Sequence, residues 1–297
     1  MVEAVETTDK KYPKALKEAL KNLIGSLGPK KLYYKGNWSE EIFGNCLAVV
    51  GSRHLTYYGR KATEQIVTEC ALAGVTIVSG FMYGGDEAAH SATVRCGGKT
   101  IAVMPCGIDR IHPENQKKLY QEILDKNGLI ISEYPGMDQP QQWTYIQRDR
   151  IVAGLCKAVL VTEAALESGS LITASYAKKF GRKIFAVPGP ITSEVSKGTN
   201  KLIKEGAVPV DSAKDILDFF KILPSARKSV SSNFVKSDLT KSSGLEQRII
   251  EQLKREPMKA DEMARLFATP VAHLGTTLSL MQLKGFINLD NGKYYLN

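Results

Sequence analysis

Short, almost wholly apolar runs recur along residues 46–187, each followed by a turn and then by a segment of helical periodicity, and nothing else restricts the fold of this chain so strongly. The runs are Cys46 to Val50, Val75 to Val78, Lys99 to Met104, Leu129 to Ser132, Ala158 to Thr162 and Lys183 to Val187. Side chains alternate across a sheet, so a strand that is apolar at successive positions must be covered on both faces. Between the runs, Thr56 to Ala73 places Ile66, Val67, Cys70 and Ala71 on one face and closes at Gly74, as an amphipathic helix does. Further helices are expected through His90, over Pro113 to Lys126, Arg148 to Leu155, Leu171 to Phe180, Thr199 to Lys204 and Ser212 to Phe220. Strand alternating with helix in this way predicts an α/β domain with a parallel sheet and helices on both faces.

The flanks read differently. Residues 1–44 are expected to form a helical cap or extension: Leu16, Leu20, Leu23 and Ile24 make one apolar stripe, Gly28-Pro29 ends it, and Lys31 to Gly36 adds a short strand. The main domain then covers 45–223. Residues 224–243 are rich in serine and lysine and poor in apolar positions, the composition of a flexible linker. Within 244–297, three short helical patterns precede Phe286 to Leu296, which turns on Asn291-Gly292, and this predicts a small winged helix. Its third helix, Pro270 to Gly285, offers only His273 and Lys284 as cations, a poor reader of a DNA groove. A protein contact or an accessory role is the expectation for the tail.

Charge narrows the partners. There are 40 Lys and Arg against 31 Asp and Glu, a formal +9, which fits a polyanion such as nucleic acid and equally a generally basic protein. Five widely spaced cysteines support neither a disulfide framework nor a zinc site and are expected to be reduced core residues. The first eleven residues are charged, and the most apolar window, Ile151 to Leu166, is interrupted by Lys157 and Glu163, so a cytoplasmic chain without membrane spans is expected.

Ligands of open parallel sheets bind beyond the carboxyl ends of the strands. Those positions carry Gly51-Ser52-Arg53, Ser79-Gly80 with Gly84-Gly85-Asp86, the segment leading to Tyr145, Arg148 and Arg150, Glu163 with Ser168-Gly169-Ser170, and Pro188-Gly189-Pro190 leading to Gly198-Thr199-Asn200. Glycine and hydroxyl turns at helix starts suit phosphates, and the forked guanidinium of Arg53 suits them further. Each residue also has a plainer reading. Arg148 and Arg150 flank Asp149 as ion pairs would, Ser168 and Thr199 sit where helices are capped, Lys178 lies where it would serve a helix dipole, and Tyr145 is placed for the core as well as for a base. Asp86 and His90 are expected to share a local hydrogen bond. No nucleophile with base and orienter stands out, and Gly51 lacks the Gly-x-x-Gly continuation of a dinucleotide fingerprint, so neither a catalytic residue nor a cofactor or metal is expected.

Taken in order, Gly51-Ser52-Arg53, Ser79-Gly80 with Gly84 and Asp86 to His90, Ser132-Glu133-Tyr134-Pro135, Arg148 to Leu155, Ser168 to Ala174, Phe185 to Gly189 and Gly198-Thr199-Asn200 resemble the DNA-processing protein A family, also called DprA or Smf. The resemblance runs from about Tyr12 to Phe220, and the tail is similar to that family's optional winged helix. It implies an extended Rossmann-like domain that binds single-stranded DNA, forms homodimers, protects incoming DNA and helps to load RecA recombinase in natural transformation. With the turns above, it marks Gly51, Ser52, Arg53, Gly80, Tyr145, Arg148, Arg150, Ser168, Gly169, Ser170, Lys178, Thr199 and Asn200 as candidate DNA-binding residues. The chain departs from the family pattern in two places: the turn Phe81 to Asp86 lacks its arginine and isoleucine, and Asp149 stands where a neutral amide is usual. A nucleotide-cleaving enzyme of similar fold using Asp86, Glu163 or Glu167, or a nucleotide sensor, are the rival readings.

Overall fold

A computed structural model describes residues 3–21, 28–222, 244–290 and 292–296. The chain divides into two compact units, Met1–Ser225 and Ala226–Asn297. In the first, the apolar runs become β3 (Cys46–Val50), β4 (Thr76–Ser79), β5 (Thr100–Gly107), β6 (Leu129–Tyr134), β7 (Ala158–Val161) and β8 (Lys183–Ala186). The helices between them are α2 (Tyr57–Leu72), α3 (Gly85–Arg95), α4 (Lys117–Asp125), α5 (Gln142–Leu155) and α6 (Ser170–Lys179), followed by α7 (Lys197–Lys204) and α8 (Lys214–Phe220). All strand pairs from β6 through β8 are parallel, and β9 (Val208–Pro209) extends the edge beyond β8 in the same direction.

Alternation on β3 shows why the sheet needs two covers. Cys46, Ala48 and Val50 enter a core built with Ile151 and Leu155 of α5, Ala174 of α6 and, from α1 (Lys14–Lys21), Leu16. Leu47 and Val49 enter the opposite core with Ile66 and Val67 of α2, Ala92 of α3 and Ile216 of α8. Full burial of each such aliphatic side chain contributes roughly 1.5–3 kcal/mol, so the two cores make register slippage of β3 costly.

Residues 1–44 do more than cap this domain. Besides α1 and the expected strand, now β2 (Lys31–Gly36), they supply β1 (Glu3–Glu6), and the sheet has nine strands in the order β1-β2-β6-β5-β4-β3-β7-β8-β9. Both additions are antiparallel, β1 to β2 and β2 to β6. The order also fixes the topological switch point: β3 is followed in the chain by β4 on one side, while its neighbour on the other is β7. Loops leaving β3 and β7 therefore diverge and open a crevice.

The second unit holds α9 (Gly244–Arg255), α10 (Ala260–Phe267), α11 (Val271–Leu283) and the antiparallel pair β10 (Ile287–Asp290) and β11 (Lys293–Leu296). Ile249, Leu253, Met263, Leu274, Leu278 and Ile287 close its own small core. The linker expected over 224–243 lies outside the described residues. The five cysteines are free; all are buried but Cys96, which is half-buried.

Candidate nucleic-acid interface

At the switch point lies an open cavity of about 720 Å³, lined by loops that leave the carboxyl ends of β3, β4 and β7, by one face of α5 from Gln142 to Val152 and by the first turn of α6. Backbone packing shapes its wall. A Cβ on Gly85 would fall 2.6 Å from Gly51 N and Cα, so α3 begins against the turn after β3 with no space for a side chain. With the backbone as it stands, a side chain at 85 would force the turn or α3 to shift.

The same packing engages the polar groups of Ser52 in the turn. Ser52 N donates to Glu163 O at 2.8 Å, Gly85 N donates to Ser52 O at 3.0 Å, and Ser52 Oγ accepts from His54 N at 3.1 Å. The expectation that this turn leaves amides open for phosphate therefore fails at Ser52, and Arg53 is its free anion-binding group. Arg53 is exposed, and its guanidinium lies 5.3 Å from the centroid of the Tyr145 ring, a cation–π arrangement. Tyr145 Oη is held in turn by His112 Nε2 at 2.7 Å. Burial, with Arg110 nearby, pushes the His112 pKa down, so the imidazole is neutral and fixes Tyr145 through a hydrogen bond. His112 lies in the loop after β5, outside the turns singled out from the sequence, and its place beyond a strand's carboxyl end is the signal that marks it.

Arg148 and Arg150 do not act as a pair. Successive helix residues are turned by 100°, so two positions apart means nearly opposite faces. Arg148 lines the cavity floor, 5% exposed. Its Nη1 donates to Gly80 O and, at 2.7 Å, to Val103 O, while Nε donates to Asp149 Oδ1 at 3.0 Å. The guanidinium packs against Gly80, where any Cβ would overlap it. Arg150 points away, with Nη2 donating to both oxygens of Glu133 at 2.8 Å, and it does not line the cavity. As a candidate contact for the same ligand it is therefore corrected to an ion pair beneath the surface.

Among the remaining candidates, Gly51, Ser52, Gly80, Tyr145, Ser168, Gly169 and Ser170 line the cavity with Arg53 and Arg148. Helix α6 starts behind Gly169 with no side-chain cap, and a Cβ on Gly169 would meet nothing within 4 Å. Leu171 N and Ile172 N of its first turn already donate to Ser168 O at 3.0 Å and Gly169 O at 2.9 Å, so the start of α6 offers an anion little beyond its dipole and the Ser168 and Ser170 hydroxyls. Ser168 Oγ bonds Ser170 Oγ at 2.8 Å rather than capping the helix. Lys178, Thr199 and Asn200 are not brought to this cavity. Lys178 lines a separate groove with Lys183 and Lys201; Thr199 is buried, its Oγ1 donating to Ser196 O at 3.1 Å; Asn200 Nδ2 donates to Gly189 O at 3.1 Å.

The acids divide too. Glu163 is spent on the fold: its carboxylate accepts from Thr56 N at 2.9 Å and Thr56 Oγ1 at 2.5 Å, fastening α2, and it does not line the cavity. Asp86 accepts from Met82 N at 3.2 Å and faces Arg148, while His90 Nδ1 pairs with Thr100 Oγ1 at 2.8 Å, so the expected Asp86–His90 bond gives way to two separate partners. Tyr83 and Ile146, both exposed, flank the opening. The arrangement offers one exposed cation, a helix start with two hydroxyls and aromatic faces: the parts for holding a phosphate chain with stacked bases.

Comparison with known proteins gives a consistent result. The family model of DNA recombination-mediator protein A matches residues 3–221, and that of the DprA winged helix domain matches residues 236–293. The chain is 36% identical over 252 residues to Protein Smf of Escherichia coli, which covers 84% of this chain and 67% of that one. In structure it resembles DNA processing protein A of Streptococcus pneumoniae, with TM-score 0.66 and 39% identity over 73% of this chain and 74% of that one. It also resembles DNA processing protein A of Helicobacter pylori, whose structure is described in terms of its single-stranded DNA binding mode, with TM-score 0.64 and 30% identity over 74% of this chain and 96% of that one.

Proposed function

The chain belongs to the DNA recombination-mediator protein A family, and from that premise we propose that it binds single-stranded DNA across the carboxyl edge of its sheet without cutting it. What supports the reading most is that Arg53, Tyr145 and the uncapped start of α6 meet at one open cavity at the switch point. A phosphate on Arg53 puts the adjoining base within reach of the Tyr145 and Tyr83 rings. Stacking and charge of this kind hold a strand with little base preference, and a duplex, whose bases are already stacked, binds more weakly. The family resemblance extends the proposal: protection of incoming DNA, delivery to RecA recombinase in natural transformation, a homodimer, and a cytoplasmic location. A salt titration of a labelled oligo(dT) strand, followed by fluorescence anisotropy, tests the binding. Affinity falling steeply and linearly on a log–log plot is expected, with a slope near −0.7 for each phosphate neutralised; a flat plot contradicts it.

For the tail, we propose a protein contact. Helix α11 exposes Val271, Leu280 and Leu283, and Lys284 is paired with Glu246 at 3.1 Å. Apolar surface with so little free positive charge is suited to a protein partner. Truncation after Ser242 is expected to leave affinity for single-stranded DNA and its salt slope unchanged; loss of binding in the truncated protein contradicts the assignment.

A further inference from the structure

The cavity carries more acid than a phosphate site calls for. Its lining cations are Arg53 and Arg148, and its lining carboxyls are Asp86, Asp149 and Glu167. Arg148 is already engaged by two backbone carbonyls and by Asp149, so a strand meets the positive charge of Arg53 and a floor whose full ionisation makes it net negative. Asp149 is the critical member. Its side chain is 13% exposed, it shares the Arg148 guanidinium with Asp86, and it lies on the helix face that lines the cavity.

We propose that this cavity takes up a proton from solvent when it takes up single-stranded DNA, and that Asp149 is the residue that receives it and weakens binding when ionised. The proposal rests on the DNA-binding reading above. Its chemistry is a simple balance: the carboxylate oxygen gains a proton from water or buffer, and one negative charge facing the phosphates is cancelled. Burial raises the Asp149 pKa to about 6 and also raises that of Asp86; Arg148 draws both back, and the two acids oppose each other's ionisation at Asp149. A phosphate nearby adds to the same push, and protons are taken up above about pH 6, where the free carboxyl is ionised.

The groups facing Asp149 come from every side: Arg148 and Tyr145 on its own helix, Asp86 on α3, Arg53 after β3, Tyr83 after β4 and Glu167 after β7. Burial disfavours the charged form of both nearby histidines. His90, beneath Arg148, is pushed down to about 3 by burial, and His112 is pushed down as well.

Two measurements test this on the full chain. Calorimetry of oligo(dT) binding in buffers of different ionisation enthalpy reads proton uptake directly, and uptake approaching one proton per site is expected near neutral pH. Anisotropy at constant ionic strength should show wild-type affinity falling as pH rises from about 6 to 8, by up to about tenfold per pH unit where one proton is linked. Asp149→Asn, whose amide oxygen still accepts from Arg148 Nε, should bind more tightly than wild type at about pH 8, with a shallower slope, and converge with it near pH 5.5. Binding enthalpies that ignore the buffer, or equal pH slopes in the two proteins, overturn the inference alone. Absence of binding at every pH overturns the DNA-binding reading and this inference with it.

Discussion

Arg148→Ala is expected to lower the stability of the main domain by about 3–5 kcal/mol, the usual effect of removing one partner from a buried charged network. The guanidinium ties the end of β4 to β5 by donating to Gly80 O and Val103 O, and it donates to Asp149 as well. Alanine removes the donor to Gly80 O, just beyond β4, and to Val103 O, within β5, and leaves Asp86 and Asp149 facing each other without the Arg148 charge. Each unpaired buried polar group alone costs about 1–3 kcal/mol. Urea unfolding reads the loss. Because the two acids then lose the group that favours their ionisation, the deficit should be largest at neutral pH and shrink as pH falls toward about 5. A variant as stable as wild type at neutral pH removes Arg148 from the framework role given to it here.

Arg53→Ala should do the opposite: leave stability unchanged and lower affinity for single-stranded DNA by about tenfold or more. The side chain is exposed and its contact within the chain is the face of Tyr145, so its loss creates no cavity and no orphaned partner. What disappears is a charge-assisted contact to phosphate, with one unit lost from the number of neutralised phosphates in the salt slope. Tyr145→Ala should weaken binding through the lost base stack, by about 1–3 kcal/mol. It also removes the shelf under Arg53, so the double variant should lose less than the sum of the two single losses. Strict additivity contradicts the cation–π coupling.

How much of this was legible beforehand follows from what each signal depends on. Unbroken apolar runs such as Ala158 to Val161 report burial on both faces, and the sheet they build was readable because that signal is local. β1, Glu3–Glu6, carries two glutamates and only four residues, and β9 has two, so neither leaves a periodic pattern to find. The turns after β3, β4 and β7 do gather at one cavity, since the carboxyl ends of parallel strands share one side, whereas the turn after β8 does not reach it. Individual donors were a different matter. Whether Ser52 N is free depends on Glu163 O, more than a hundred positions away in the chain, and Tyr145 depends on His112, which no local pattern links to it. Arg148 and Arg150 looked alike in sequence because they are close in the chain; the 100° step of the helix sends one to the cavity and the other to Glu133.

The most direct test of the central claim compares single-stranded and duplex oligonucleotides of equal length by fluorescence anisotropy, in wild type and in Arg53→Ala. Wild type is expected to prefer the single strand by tenfold or more, about 1.4 kcal/mol, and Arg53→Ala to lose most of its affinity for that strand. Equal binding of single strand and duplex by wild type, or undiminished binding by a folded Arg53→Ala variant, would contradict the assignment of this cavity as the site of single-stranded DNA.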